Sequence, residues 1–283
     1  MGQKCPVYTD NMKSRKKKKI GIALGSGGAR GFAHIGVLKA LDRAGIRIEY
    51  VSGTSIGALI GAYYSAYMDI GKLEALAMDS SNFRTGMFLT DPFFKSGLLR
   101  GKKVELFLES LFPGMSFSDL KIPLSVVATD LNEGTEVVFS SGDLVKALRA
   151  SISVPMFFEP VDYQGRLMVD GGIVNPVPDD VVAGMGADLV IAVNLDCYSS
   201  LESFDRKNLS IRKVALRSFQ IIRHHLASYS LNKKDILIEP YVNDYGIVGW
   251  KNFFNKEDVK RLIRAGELAT IETLKIHKDI LGK

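Results

Sequence analysis

The stretch YVSGTSIGAL (Tyr50–Leu59) places Ser55 between two glycines, with an apolar run on each side. The run before it is typical of a buried strand, and Ile56–Met68 after it is apolar on all faces, which predicts a buried helix. Gly53 and Gly57 allow the chain to fold back sharply, because neither carries a Cβ that would clash. A serine on such a strand-to-helix turn is either a helix N-cap or an exposed nucleophile, and the pentapeptide alone leaves both open.

Strand-like and helix-like segments alternate along the rest of the chain. Short apolar runs predict strands at Ile20–Leu24, Ile48–Val51, Ile122–Ala128, Glu136–Phe139, Leu167–Val169 and Leu189–Leu195. Periodicity predicts helices from Phe32 to about Ala44, and over Leu144–Ala150, Ser210–Ser230 and Lys256–Ile276. This alternation predicts an α/β fold with a mostly parallel sheet, whose strand ends carry the ligand chemistry.

Composition excludes several classes of protein. The 283 residues are 46% hydrophobic and 24% charged, as in ordinary globular proteins, and no apolar run reaches the ~20 residues of a membrane span. Only Cys5 and Cys197 occur, so we expect no disulfide framework and no metal site. This cysteine usage favours a reducing compartment, and we expect a cytoplasmic protein without a cofactor.

The net charge of +6 is concentrated at the N-terminus. Residues 1–20 carry seven basic side chains and one acidic one, and the other 263 residues carry 30 of each. We therefore expect a basic, disordered leader over residues 1–19 and one folded domain over 20–283. The leader is either simply solvated or a peripheral contact with the anionic inner face of a membrane, and no nucleic acid is expected. The contacting residues would be Lys13, Arg15, Lys16, Lys17, Lys18 and Lys19.

A glycine-rich loop, GSGGARG (Gly25–Gly31), follows the first predicted strand. Its backbone N–H groups suit an anion, either a nucleotide phosphate or a tetrahedral oxyanion. A dinucleotide fingerprint beginning at Gly25 fails because the sixth residue is Arg30, and no Gly-Lys-Ser/Thr follows for a Walker loop. The loop and the Ser55 turn on adjacent strand ends favour acyl transfer. Arg30 either steadies the loop, meets a phosphate or forms a surface salt bridge.

An apolar strand also leads into Asp170-Gly171-Gly172. Asp-Gly is a common turn, but a serine nucleophile needs a base, and Asp170 is the best-placed candidate. The four histidines, His34, His224, His225 and His277, all fall on helical stretches rather than at strand ends. We therefore expect them to be core or surface residues.

Four segments in register resemble the patatin-like phospholipase family, in particular its compact bacterial members. They are GSGGARGFAHIGVLKAL, GTSIGAL, RASISVPMFFEPV and VDGGIVNPVP, within about Ile20–Asp196. The resemblance implies a single-domain, three-layer fold with helices on both faces of the sheet. It also implies hydrolysis of lipid esters by a Ser-Asp dyad of Ser55 and Asp170.

The resemblance assigns further residues by motif. The oxyanion hole would be formed by the amides of Gly27 and Gly28, with Ser26 as a further donor where the family commonly has a third glycine. Arg30 matches the basic residue that the family usually carries in this loop. The remaining glycines would support the loop and the turns: Gly25, Gly31, Gly53, Gly57, Gly171 and Gly172.

Two other classes stay open: a nucleotide-binding α/β protein that uses Gly25–Gly31, and a non-catalytic membrane adaptor on the same fold. The aromatic segment Phe83–Phe94 is either a flap over the site or a loop that caps the core, and Tyr245–Phe254 raises the same question.

Overall fold

The computed structural model describes residues 18–79, 99–196, 210–231, 236–242 and 256–278. Nearly all of the predicted leader and both aromatic segments, 83–94 and 245–254, lie outside the described residues.

The described strands form one eight-stranded sheet in the order β5-β6-β3-β2-β1-β7-β8, with β4 also paired to β3. Neighbouring pairs among β8, β7, β1, β2 and β3 are parallel, whereas β4 and β6 run antiparallel to β3, and β5 runs antiparallel to β6. The strands are β1 Ile20–Leu24, β2 Tyr50–Thr54, β3 Leu124–Asp130, β4 Glu136–Phe139, β5 Val161–Tyr163, β6 Arg166–Asp170, β7 Leu189–Val193 and β8 Ile236–Ile238.

The described α-helices lie between and after these strands. They are α1 Phe32–Arg43, α2 Ile56–Tyr67, α3 Ile70–Met78, α4 Lys102–Leu111, α5 Leu144–Ser151, α6 Asp179–Gly184, α7 Ile211–Ser230 and α8 Lys256–Ile276. None of them combines the length and apolar character that crossing a membrane requires.

The sheet has a hydrophobic core on each face. The larger core joins α1, α2, α5 and α8 to one face and includes Phe32, Leu38 and Leu262. The smaller core lies on the other face, where Ala23 and Ala192 meet Val182 of α6 and Ala227 of α7. This arrangement confirms the predicted three-layer α/β fold with a mostly parallel sheet and helices on both faces.

Helices α1 and α8 pack backbone against backbone. A Cβ on Gly36 would lie 1.9 Å from the Ile263 carbonyl oxygen, and a Cβ on Gly266 would lie 2.0 Å from the Ala33 carbonyl oxygen. Only glycine fits at either position, so the C-terminal helix is held closely against the helix that follows the glycine loop.

The strand that carries Asp170 is not one of the parallel strands, because β6 runs antiparallel to β3. The register still brings Asp170 to the level of Ser55 at the end of β2, because Thr54 pairs with Val127 and the next residue, Ala128, pairs with Asp170.

Candidate active site

Ser55 sits on a sharp turn between β2 and α2. Its φ of 57° is in the left-handed region, which is rare for a residue other than glycine and marks local strain. The flanking glycines allow the turn: a Cβ on Gly53 would lie 2.6 Å from the backbone of Ala58, and a Cβ on Gly57 would lie 2.1 Å from the Leu24 carbonyl oxygen. The tight turn of the sequence prediction is present, and the Ser55 side chain caps no helix N–H.

The Ser55 hydroxyl donates a hydrogen bond to Asp170, with 2.5 Å between Oγ and Oδ2. The other carboxylate oxygen, Oδ1, accepts from the N–H of Gly172 at 2.7 Å. A Cβ on Gly171 would lie 2.4 Å from the Val127 carbonyl oxygen, so a glycine is needed directly after the carboxylate. The structure therefore brings together the two residues that the sequence predicts as nucleophile and base.

Both side chains are buried, with Ser55 5% and Asp170 4% exposed. Burial raises the pKa of the Asp170 carboxyl above its ordinary value, although the charge of Arg223 and the hydrogen bonds from Ser55 and Gly172 lower it. A raised pKa makes this carboxylate a stronger base than an exposed aspartate.

The glycine loop lies beside the Ser55 turn. A Cβ on Gly31 would lie 2.2 Å from the Ile56 side chain, and a Cβ on Gly57 would lie 2.6 Å from the Gly25 carbonyl oxygen. The N–H groups of Gly27 and Gly28 have no hydrogen-bond acceptor within the described part of the chain. They are the two amides that the sequence analysis assigned to an oxyanion.

The assignment of Ser26 as a further oxyanion donor was wrong. Its N–H donates to the Pro176 carbonyl at 2.8 Å, while the N–H of Gly25 donates to the Val193 carbonyl at 3.0 Å. Both amides hold the loop against neighbouring segments and are not available to a substrate. The Ser26 hydroxyl instead accepts a hydrogen bond from Arg223.

Arg30 is buried and belongs to an ion-pair cluster behind the loop. Its Nη2 lies 2.6 Å from Asp196 Oδ1, and its Nε donates to the Gly27 carbonyl at 3.2 Å. Arg223 Nη2 lies 2.6 Å from the other oxygen, Asp196 Oδ2. Arg30 therefore steadies the loop, as one of its predicted alternatives proposed, and the surface salt bridge is excluded because all three side chains are buried.

The C-terminal end of α5 contributes a residue that the sequence analysis did not single out. Ser151, the last residue of α5, accepts a hydrogen bond from the Ser55 N–H at 2.9 Å and donates to the Val127 carbonyl at 2.6 Å. The nearby Ser153 carbonyl accepts from the Asp170 N–H at 3.0 Å. The motif RASISVP thus positions both members of the Ser55–Asp170 pair.

Two of the four histidines, His34 and His224, contact backbone carbonyls near this site rather than the pair itself. His34 Nε2 lies 2.6 Å from the Gly25 carbonyl oxygen, and His224 Nδ1 lies 2.7 Å from the Asp196 carbonyl oxygen. Burial lowers the pKa of His34 to about 4, so its ring is neutral at pH 7. The described residues contain no group of three or more metal-ligating side chains.

The family model described as "Patatin-like phospholipase" matches residues 22–182, which include the glycine loop, Ser55 and Asp170. An uncharacterised NTE family protein of Mycobacterium tuberculosis is 41% identical over 181 residues, covering 63% of this chain and 49% of the relative. The neuropathy target esterase sws of Drosophila melanogaster is 36% identical over 183 residues, covering 62% of this chain and 13% of that protein. This chain therefore matches about half of the mycobacterial relative and a small part of the insect one.

Among solved structures, VipD from Legionella pneumophila superposes with a TM-score of 0.55 over 93% of this chain and 67% of that chain, at 16% identity. This likeness shows a shared fold. With the match of the family model over more than half of its residues, the chain belongs to the patatin-like phospholipase family.

Proposed function

We propose that this chain is a serine acyl hydrolase that cleaves carboxylic esters of phospholipids, lysophospholipids or related lipids. The observation that carries the proposal is the 2.5 Å hydrogen bond from Ser55 Oγ to Asp170, made by a serine held at positive φ. Family membership supports a lipid ester as the substrate class. Ser55 is the nucleophile and Asp170 the general base.

The first half of the reaction forms an acyl-enzyme. Asp170 takes the proton of the Ser55 hydroxyl while Oγ attacks the ester carbonyl carbon, giving a tetrahedral intermediate. The N–H groups of Gly27 and Gly28 bind its oxyanion, and each such donor is worth about 3–4 kcal/mol in well-studied hydrolases. Collapse of the intermediate breaks the ester bond, and Asp170 returns the proton to the departing alcohol.

The second half regenerates the enzyme. Asp170 takes a proton from a water molecule, which attacks the acyl carbon on Ser55. The same two amides bind the second oxyanion. Its collapse releases the fatty acid, and the proton held by Asp170 returns to Ser55 Oγ. No metal or cofactor takes part in these steps.

This mechanism requires Asp170 to be ionised in the free enzyme. Because burial raises its pKa, kcat/KM should fall as the pH drops through a value above that of an exposed aspartate. This fall at low pH is the acid limb of the kcat/KM profile. Asp170→Asn removes the base, so it should abolish turnover and with it the acid limb.

The decisive experiment is labelling with a fluorophosphonate, followed by peptide mapping and assays on a lipid panel. The label should appear on the peptide that contains Ser55. Ser55→Ala should abolish both labelling and ester turnover, and Asp170→Asn should abolish turnover. Retained turnover in a folded Ser55→Ala protein would overturn the proposal.

The histidines supply matched controls within the same chain. His34, His224, His225 and His277, each changed to Gln, should leave turnover within about a few-fold of the parent, allowing for small stability losses. A single variant as inactive as Ser55→Ala, yet still folded, would indicate a Ser-His-Asp triad in place of the pair.

The same assay separates the two alternative classes. Tight binding of a dinucleotide without labelling of Ser55 would favour the nucleotide-binding protein. Vesicle binding without turnover of any ester would favour the adaptor.

A further inference from the structure

Arg223 lies on α7, outside residues 22–182 that match the family model. Among the α7 side chains that the structure describes, only Arg223 and Ala227 are buried. Arg223 is 4% exposed and points into the protein, where its Nη2 donates to Ser26 Oγ and to Asp196 Oδ2. The guanidinium of one of the two buried α7 side chains thus reaches the glycine loop.

The contacts of Arg223 and Arg30 hold the part of the loop that carries the two amides. Asp196 binds Arg223 through Oδ2 and Arg30 through Oδ1, each at 2.6 Å. Arg223 also binds the hydroxyl of Ser26, and Arg30 binds the carbonyl of Gly27. The two unpaired amides, of Gly27 and Gly28, therefore lie between positions that the cluster fixes.

The cluster contains two cations and one anion, so it leaves a net positive charge in the interior. A buried charge is costly unless it is fully paired, and buried ion pairs are weak stabilisers even when they are paired. Within the cluster the second arginine is therefore incompletely paired, and its Nε–H also lacks an acceptor within the described ranges.

The extra positive charge lies close to Asp170. A Cβ on Gly172 would lie 3.0 Å from both Asp170 Oδ1 and Ser26 Oγ, so the hydroxyl that Arg223 holds is a near neighbour of the carboxylate. The charge of Arg223 lowers the pKa of Asp170 and partly offsets the opposite effect of burial, while Asp196 raises it.

We propose that Arg223 is a positioning residue for the Ser55–Asp170 reaction: it fixes the glycine loop through Ser26 and Asp196 and provides positive charge beside Asp170. This inference rests on the proposed function, in which the Gly27 and Gly28 amides bind the oxyanion. It also accounts for Ser26, where the family commonly has glycine, because a glycine there offers Arg223 no hydroxyl.

The test compares Arg223→Gln with Arg217→Gln, which makes the same change on the same helix at a half-buried side chain that donates to Gln220. On a soluble short-chain ester, Arg223→Gln should lower kcat by about 10²-fold, since small misplacement of catalytic groups has effects of this size. KM should change less than about three-fold, and Arg217→Gln should match the parent. The variants are compared well below their unfolding temperatures.

The pH profile distinguishes positioning from a merely structural role. The groups around Asp170 are Ser55, Arg223 and Asp196, with Arg30 paired to Asp196 and His34 in contact with the Gly25 carbonyl of the loop. Removing the Arg223 cation should move the acid limb of kcat/KM to higher pH. An unchanged limb and an unchanged kcat, with only a lower Tm, would overturn the inference.

Ser26→Ala keeps the inference testable if Arg223→Gln does not fold. It removes only the hydroxyl that Arg223 holds, and kcat should fall by roughly five- to ten-fold, about the effect of one hydrogen bond, at unchanged KM. In the double variant, the loss should be smaller than the product of the single losses, because the two side chains act together. Full activity of Ser26→Ala, or strictly multiplicative losses, would contradict it.

Ser55→Ala is assayed in parallel. If Ser55→Ala keeps its turnover, the proposed function fails. If Ser55→Ala is inactive but Arg223→Gln and Ser26→Ala behave like the parent, the role of Arg223 fails and the proposed function stands.

Discussion

At the scale of single residues, two buried aspartates near the site have opposite pKa shifts. Burial raises the pKa of Asp170, whose direct partners are a hydroxyl and an amide. Burial acts on Asp196 in the same direction, but the charges of Arg223 and Arg30 outweigh it and lower its pKa. The pKa of the same side chain is thus raised at one position and lowered at the other, because the partners differ.

Gly28→Ala tests the oxyanion assignment. Gly28 has φ of 57°, and an alanine there would strain the backbone that aims the amides. We expect kcat for a soluble ester to fall by about 10²-fold or more.

Gly134→Ala is the matched control for this loop. Gly134 has a similar φ of 67°, lies in a turn away from the site and has open space where a Cβ would go. Both variants should lose about 1 kcal/mol of stability, but only Gly28→Ala should lose turnover. Equal turnover in the two variants would place the oxyanion hole elsewhere.

At the scale of elements, the end of α5 holds the Ser55 turn in place. Ser151→Ala removes the acceptor of the Ser55 N–H and the donor to Val127. We expect kcat to fall about ten-fold and the free energy of unfolding to fall by about 1–2 kcal/mol, as for a broken buried hydrogen bond.

Ser52→Ala gives the comparison for Ser151→Ala. Ser52 lies in β2, three residues before Ser55, and is also buried, and its hydroxyl donates to the Pro178 carbonyl at 2.6 Å. In urea unfolding, Ser52→Ala should lose about as much free energy of unfolding as Ser151→Ala. In the ester assay, its kcat should stay at the parent value. A Ser151→Ala protein with parental kcat would show that the Ser55 turn keeps its geometry without the contacts of Ser151.

Element boundaries were predictable where the sequence pattern was strong. β1, β4 and α8 begin and end as predicted, because an apolar run or a long helical period defines them. β2 was predicted at Ile48–Val51 but covers Tyr50–Thr54, since the strand continues through small residues up to Ser55. Three helices, α3, α4 and α6, and two strands, β5 and β8, were not predicted. The two strands have only three residues each, too few to show a period.

The candidate site was predictable in part, for a related reason. The Ser55–Asp170 pair and the glycine loop follow local motifs, whereas the contacts of Arg223 join α7 to residues far away in the chain. No motif or regular spacing in the sequence identifies an arginine that makes such long-range contacts. Asp196 could have been found, because it follows the apolar strand Leu189–Val193 as Asp170 follows its own strand.

At the scale of the whole molecule, His34 makes the fold sensitive to acid. Its pKa is about 4 in the folded protein, against an ordinary 6.5. Between pH 6.5 and about 4, His34 is protonated in the unfolded chain but stays neutral in the folded protein. The free energy of unfolding is therefore lost as the pH falls from about 6.5 to 4. At about 1.4 kcal/mol per pH unit, this single group accounts for about 3 kcal/mol.

His34→Gln should remove this contribution. Urea unfolding at pH 7 and pH 4 should show a smaller loss for the variant than for the parent, while the carboxyl groups titrate in both. Equal losses in the two proteins would show that His34 is protonated without unfolding.

The basic leader gives a second prediction at this scale. We expect removal of residues 2–17 to weaken binding to anionic vesicles, most clearly at low salt, since each lysine near such a surface contributes about 1 kcal/mol. Lys19 is kept, because its backbone N–H is bonded to Asp188 at the edge of the fold. Turnover of a soluble ester should not change.

A chain of the same length in which Lys13, Arg15, Lys16 and Lys17 are changed to Gln separates charge from length. It should bind vesicles as weakly as the deletion. Vesicle binding that does not differ among the three proteins would rule out the membrane role of the leader.

The position of β1 in the sheet determines when a newly synthesised chain can finish folding. β1 lies between β2 and β7, and β7 is made about 165 residues after β1. At ~5–20 residues per second, β1 waits on the order of ten seconds on the ribosome with one edge unpaired. The surface of α1 that packs against Gly266 of α8 stays uncovered still longer, until α8 is synthesised. The nascent chain therefore carries Ser55 and its turn well before the sheet around them is closed, and this interval is when aggregation competes most strongly with folding.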